Sequence, residues 1–128
     1  MDIIVKSKYI KTSPSKLRLL TNLVKNLNVN DAIDQLNFSN KMIKDPVIHL
    51  IKSGISAAKN KDLDTEKLYI KSITCNQGPA FKRMQYKPRG RAAKIKKRTS
   101  HVVLVISDQK SVNKNKTTQT QLNKVNKE

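Results

Sequence analysis

Three observations predict a small domain of mixed helices and strands that carries a long basic insertion and a polar tail. Apolar residues recur at helical spacing through residues 13–60, and strand-like runs occupy 68–76 and 101–107. Between those runs, the 24 residues from Gly78 to His101 hold nine cations and no acid. A chain of 128 residues suffices for one hydrophobic core and is too short for two ordinary domains.

Ile3 to Tyr9 is a short strand candidate. Ser13 is placed as N-cap and Pro14 at the first helical position, where its missing N–H costs no hydrogen bond. Leu17, Leu20, Val24 and Leu27 follow at spacings of three and four, an apolar stripe. A second, short helix is expected over Asp31 to Leu36, capped by Asn30. A third, from about Asn40 to Asn60, carries the stripe Ile43, Val47, Leu50, Ile51, Gly54 and Ala58. Pro46 interrupts it and predicts either a kink or a start delayed to Asp45. Gly54 either admits another helix closely or weakens this one. After the polar turn Lys61 to Glu66, Leu68 to Asn76 reads as a strand. His101 to Ser107 reads as another, its five consecutive apolar residues pointing to burial on both faces. From Gln109 onward only Val112, Leu122 and Val125 are apolar, so residues 109–128 are expected to be a disordered tail.

Charge narrows the function more than length does. Lys plus Arg number 27 against nine Asp plus Glu, a formal net charge of +18 with a sequence pI near 10.2. Such a field repels itself unless a polyanion neutralises it, and nucleic acid is the commonest polyanion. Half of that net charge lies in residues 78–101. The longest apolar run, Val102 to Ile106, is far short of a bilayer span, and the first residues do not resemble a signal peptide. One cysteine, Cys75, forms no intramolecular disulfide and fits a reducing compartment. No membrane anchoring is expected, because an amphipathic helix with bulky aromatics is missing.

Convergent chemistry is scarce. His49 beside a helix stripe and His101 at a strand start are placed as structural or RNA-contacting residues, not as general bases. Ser100 and Asp108 near His101 invite a triad, but adjacent strand residues face opposite ways. One Cys and two distant His give no zinc spacing, and the three glycines are scattered rather than gathered in a phosphate-binding loop. No enzyme activity, cofactor or metal is expected, and Cys75 is read as an apolar filler.

A structureless loop from Gly78 to Ser100 would be very long for a compact domain. Phe81, Met84, Tyr86 and Ile95 supply strand propensity, and Pro88 with Gly90 can turn the chain, so an extended hairpin over 78–100 is expected. Each arm of about ten residues would reach roughly 33 Å. An isolated ribbon is marginal in water, and Lys82, Arg83, Lys87, Arg89, Arg91, Lys94, Lys96, Lys97 and Arg98 make this one repel itself. Cations neutralise phosphates while Phe81, Tyr86 and guanidinium planes can stack on exposed bases, a combination suited to RNA. The plain alternative is a solvated charge run, but solubility alone does not call for nine cations without an acid.

The run Gly78-Pro79-Ala80-Phe81-Lys82-Arg83, then Gly90-Arg91-Ala92, then Lys97-Arg98-Thr99-Ser100-His101, closely resembles the family of universal large-subunit ribosomal protein twenty-two. Ser13-Pro14-Ser15-Lys16-Leu17-Arg18 and Ala32-Ile33-Asp34-Gln35-Leu36 are similar to it too, and the likeness spans roughly residues 3 to 108. It implies an α+β fold, about three helices on a small antiparallel sheet with a long basic β-hairpin, in a single domain of residues 1–108. It further implies a structural role in the large ribosomal subunit, binding its RNA and supporting assembly. The hairpin would line the polypeptide exit tunnel, and the region near Phe81 would bear on macrolide sensitivity. Lys16 and Arg18 join the nine hairpin cations as expected RNA contacts. Phe81, Lys82, Arg83, Arg89, Gly90 and Arg91 are the expected tunnel-lining residues. The implied partners are large-subunit ribosomal RNA, neighbouring ribosomal proteins and the nascent polypeptide, with no homo-oligomer. The implied location is the ribosome of the cytoplasm or of an organelle. The chain departs from the family pattern at Pro46, at Ala93 where Asp is frequent, and at Pro88, which stands closer to glycine than is usual. The competing class is an architectural DNA-binding protein that uses a basic hairpin as a minor-groove arm, which would need a dimer and duplex DNA.

Overall fold

A computed structural model describes residues 1–108. In chain order they form β1 (Asp2–Ile10), α1 (Pro14–Val24), α2 (Val29–Phe38), α3 (Lys44–Lys59), a 3-10 turn (Thr65–Lys67), β2 (Tyr69–Tyr86) and β3 (Ala92–Ser107). The architecture is the α+β arrangement expected, three helices on one antiparallel sheet of order β1-β3-β2. The tail expected over 109–128 lies outside the described residues.

The α1 stripe is buried as the spacing predicts, with Leu17, Leu20 and Val24 wholly inside. Ser13 holds the N-cap position, but its hydroxyl meets Ser15 Oγ at 3.3 Å and makes no capping bond. The helix ends before Leu27 because the chain there pairs with the start of β2. Asn26, at φ 64°, donates its N–H to Ile70 O, and Ile70 N–H donates back to Leu27 O. Val29 N–H then donates to Leu68 O, which pins the following helix start as well. So α2 begins at Val29 with Asn28 at the N-cap, two residues before the predicted start at Asp31 with Asn30 as cap.

Of the two outcomes predicted for Pro46 in α3, the delayed start is the one observed, within one residue of Asp45. The helix starts at Lys44, which places Pro46 in the first turn, where no intrahelical donor is needed. Val47, Leu50, Ile51, Gly54 and Ala58 are buried, and Ile43 packs half-buried at the N-cap. Gly54 does admit a close neighbour, but that neighbour is the sheet rather than a helix. A Cβ there would collide with Ile106 Cδ1 and lie 3.6 Å from Val5 Cγ2.

Burial of β3 on both faces is also corrected. Val102, Leu104 and Ile106 are wholly buried, whereas Val103 and Val105 are only half-buried, because the helices cover a single face of the sheet. Each large apolar side chain removed from water on that face contributes about 1.5–3 kcal/mol. β2 does not stop at Asn76 but continues to Tyr86, pairing with β3 throughout. Two bulges bend it, one at Lys71 and one at Gly78-Pro79.

Candidate nucleic-acid interface

Beyond the second bulge the two strands leave the body as a ribbon. From Pro79 to Arg98 every residue is exposed except half-buried Ala93, so backbone pairing is what joins the arms. The register sets Phe81 opposite Lys97, Arg83 opposite Ile95 and Met84 opposite Lys94. It also sets Lys82 directly opposite Lys96, a like-charge pair that opposes ribbon formation in the absence of a counter-charge. Among the described residues the ion pairs are Met1–Asp108, Lys67–Asp64 and Lys71–Asp2, and none involves a hairpin cation. The nine basic groups are left available to an external anion.

The turn forms where Pro88 and Gly90 place it, closed by Lys87 N–H donating to Arg91 O at 2.8 Å. Gly90 takes φ 68°, and Arg89 also sits in the left-handed region at φ 65°. For a side chain other than glycine that conformation costs about 1–2 kcal/mol, so Arg89 is held at the tip against its own preference.

A set of contacts at the ribbon root fixes how it leaves the body. Thr99 Oγ1 donates to Pro79 O at 2.6 Å across the bulge, and Ser100 Oγ donates to Thr12 O at 2.6 Å. Tyr9 N–H donates to His101 Nδ1 at 3.0 Å, and the two rings meet edge-to-face with centroids 4.8 Å apart. An added Cβ at Gly78 would lie 2.6 Å from Thr99 Oγ1 and 3.1 Å from the His101 ring. Sequence reasoning missed these residues as a unit, although glycine and proline inside a strand already marked a bulge.

Where the root meets the body there is a concavity of about 740 Å³. Lys16 from α1 and Arg83, Lys96, Lys97 and Arg98 from the hairpin line it, joined by Lys11, which sequence reasoning did not select. Thr12, Ser13, Ile43 and Phe81 complete much of its wall. Lys82, Lys87, Arg89, Arg91 and Lys94 lie outside it along the ribbon and tip. Arg18 is placed apart from both, its Nη2 donating to Cys75 O at 3.3 Å, so part of its hydrogen-bonding capacity is spent on the body.

The groups that could have supported other chemistry are dispersed. His49 is exposed, and His101 is engaged with Tyr9. Ser100 bonds back to Thr12, while the Asp108 carboxylate accepts from the chain-terminal ammonium of Met1, which holds its pKa below the ordinary value. Burial pushes the Cys75 thiol up, and its Sγ–H donates to Pro14 O at 3.8 Å. Among the described residues no three His, Cys, Asp or Glu gather as metal ligands, and no helix is long and apolar enough to cross a membrane.

The family model for ribosomal protein L22p/L17e matches residues 5–107, covering the body, the root and the whole ribbon. The chain belongs to this family. Similar proteins named large ribosomal subunit protein uL22 extend the match. That of Mycoplasma capricolum is 40% identical over 111 residues, covering 86% of this chain and 100% of the relative. That of Clostridioides difficile is 39% identical over 111 residues with the same coverage. In Clostridium novyi the figure is 41% over 103 residues, 80% of this chain and 93% of the relative. As in the L22p/L17e family generally, the relatives are ribosomal proteins, a class with a structural rather than a catalytic part in translation.

Proposed function

We propose that this chain is a structural constituent of the large ribosomal subunit that binds large-subunit ribosomal RNA, supports assembly and lines the polypeptide exit tunnel with its hairpin. The observation that carries this reading is the nine-cation ribbon without a carboxylate, projecting from a body that folds around its own core. Lys and Arg along it neutralise phosphates and release counterions, and the arginines can grip phosphate oxygens in bidentate fashion. Lys16 and the root cations anchor the body on RNA, while Arg89, Gly90 and Arg91 at the tip, with Phe81, Lys82 and Arg83 on the outgoing arm, shape the tunnel. Neighbouring ribosomal proteins and the nascent polypeptide are the further partners. The site of action is the ribosome of the cytoplasm, or of an organelle, and the proposed role involves no chemical step.

Two measurements test it. Gradient sedimentation of a lysate should carry the protein with large subunits, whereas an architectural DNA-binding protein would travel with DNA. Replacing Lys94, Lys96, Lys97 and Arg98 with Gln should flatten the salt dependence of ribosomal RNA binding by about 0.7–0.9 in log–log slope for each phosphate no longer neutralised. An unchanged slope would return these side chains to the solvated-surface reading. The tunnel role has its own test. Deleting Phe81-Lys82-Arg83 removes an odd number of residues and so turns every following outgoing-arm side chain to the opposite face. Subunits reconstituted with that deletion should incorporate the protein yet respond differently to macrolides or stalling peptides. Unchanged responses throughout would refute the tunnel wall alone.

A further inference from the structure

The ribbon is exposed along its length and meets phosphates on its surface, whereas at its root the chain forms a half-open concavity that can receive part of a ligand. We propose that this concavity receives a single unpaired RNA nucleotide, its base against Phe81 and its flanking phosphates on Lys16, Arg83 and Lys97. The inference rests on the reading of the hairpin as an RNA-binding element and adds which RNA structure the root selects.

Shape comes first. A volume of about 740 Å³ falls within the range of roughly 300–1,000 Å³ seen in pockets that enclose small ligands. A duplex can lay its phosphate edge across such a space but keeps its bases stacked inside, whereas an extrahelical nucleotide can put its base into it. The lining then separates base from phosphate. Phe81 is 57% exposed, and among the described residues the one aromatic pair is Tyr9–His101, so the Phe81 ring face is unstacked. Half-buried Ile43 adds a second apolar surface on the body side. Arg83 and Lys97 share the ribbon face of Phe81, Lys11 and Lys16 come from the body, Lys96 and Arg98 line the concavity from strand positions of the other face, and no acid is among the described residues lining it. A site for phosphates alone would not need the ring, and a site for an apolar peptide would not need the cations.

The first turn of α1 supports the phosphate side. Ser13 and Lys16 line the concavity, Ser13 makes no capping bond, and the turn holds no acidic residue to neutralise the positive helix end. Unpaired RNA is recognised in this manner, with splayed bases on aromatic faces and phosphates on basic groups. Because every base presents a π-face, stacking tolerates any sequence. The root therefore selects a bulge or loop by its shape, and the ribbon adds charge that any RNA satisfies.

The full-length protein should be titrated with a short RNA hairpin carrying one bulged 2-aminopurine and with the fully paired hairpin. The bulged RNA should bind about tenfold tighter, the gain expected from one stacked base, with a change in 2-aminopurine fluorescence on binding. Raising the salt should weaken both complexes, the bulged one more steeply, because its flanking phosphates engage Lys16, Arg83 and Lys97 in addition. Phe81→Ala, at an exposed position that leaves the core intact, should cut the preference sharply, weakening the bulged complex more than the paired one. Phe81→Tyr should restore it. Equal affinity of the unaltered protein for the two RNAs, or an equal loss on both from Phe81→Ala, overturns the nucleotide pocket and leaves the RNA-binding reading standing. Failure to bind either RNA overturns the reading beneath it.

Discussion

The inner and outer halves of β2 and β3 share one continuous backbone ladder and differ in everything else. Between Ile70 and Cys75, and between Val102 and Ile106, alternate side chains are buried under the helices. Past the Gly78-Pro79 bulge the same ladder continues from Ala80–Arg98 to Tyr86–Ala92 with almost no burial and with lysine facing lysine. Hydrogen bonds exchanged with water contribute little net free energy, so the pairing alone does not make a stable ribbon. The inner half is stabilised by what it covers, and the outer half waits for a counter-charge.

Hydrogen exchange offers the largest contrast. In the free protein, body amides should be protected up to the global unfolding free energy, about 5–15 kcal/mol for a small domain. Amides of residues 80–98 should exchange with little protection. Strong protection there without RNA would break the division at the bulge. Next comes Leu104→Ala, which empties a wholly buried site on the inner half of β3 and should cost about 2–5 kcal/mol. Thermal unfolding would register that loss, whereas Lys94→Ala on the outer half of the same strand should leave Tm nearly unchanged. Thr99→Val sharpens the boundary itself. It removes the 2.6 Å bond to Pro79 O and should cost about 0.5–1.5 kcal/mol, with faster exchange spreading inward to residues 76–78.

The smallest effect is electrostatic and belongs to the body. Lys71 donates to Asp2 at 2.6 Å, and this bond holds the Asp2 carboxyl below its ordinary value. A lowered carboxylate pKa stabilises the fold above the unfolded-state value and ceases to do so as pH falls through the folded-state value. Asp2→Asn should therefore lower Tm slightly at neutral pH and make no difference in strong acid. A deficit persisting in acid would assign the effect to something other than this ion pair.

What could be read from the sequence was what neighbouring residues decide together. Helical spacing named the buried stripe of α1 and α3, and the distribution of charge located the ribbon. The misplacements arose where distant segments act. α2 starts early because Asn26 to Val29 pair with Leu68 to Ile70, a contact that no local pattern at Asp31 reveals. Val103 and Val105 are half-exposed because helices occupy only one side, which an apolar run by itself does not show. Lys11 resembles any other lysine until the chain folds, and the concavity it lines is assembled from separated stretches of chain. Pro46 was the reverse case, a local signal whose predicted delay of the helix start is seen within one residue, at Lys44.

The sheet order has a consequence for synthesis. β3 lies between β1 and β2, so Ile3 pairs with Ile106 and Ile70 pairs with Ile106 from the other side. A ribosome making this chain releases both outer strands and all three helices before the strand that joins them. Until then β1 and β2 present unpaired edges, and the apolar stripes of α1 and α3 have no sheet to cover. Closure over such a sequence separation is slow, and the waiting state is prone to aggregate. A nascent chain stopped short of Val102 should stay soluble only while something shields it, and the arrival of five residues, Val102 to Ile106, supplies the strand that lets it close into a domain.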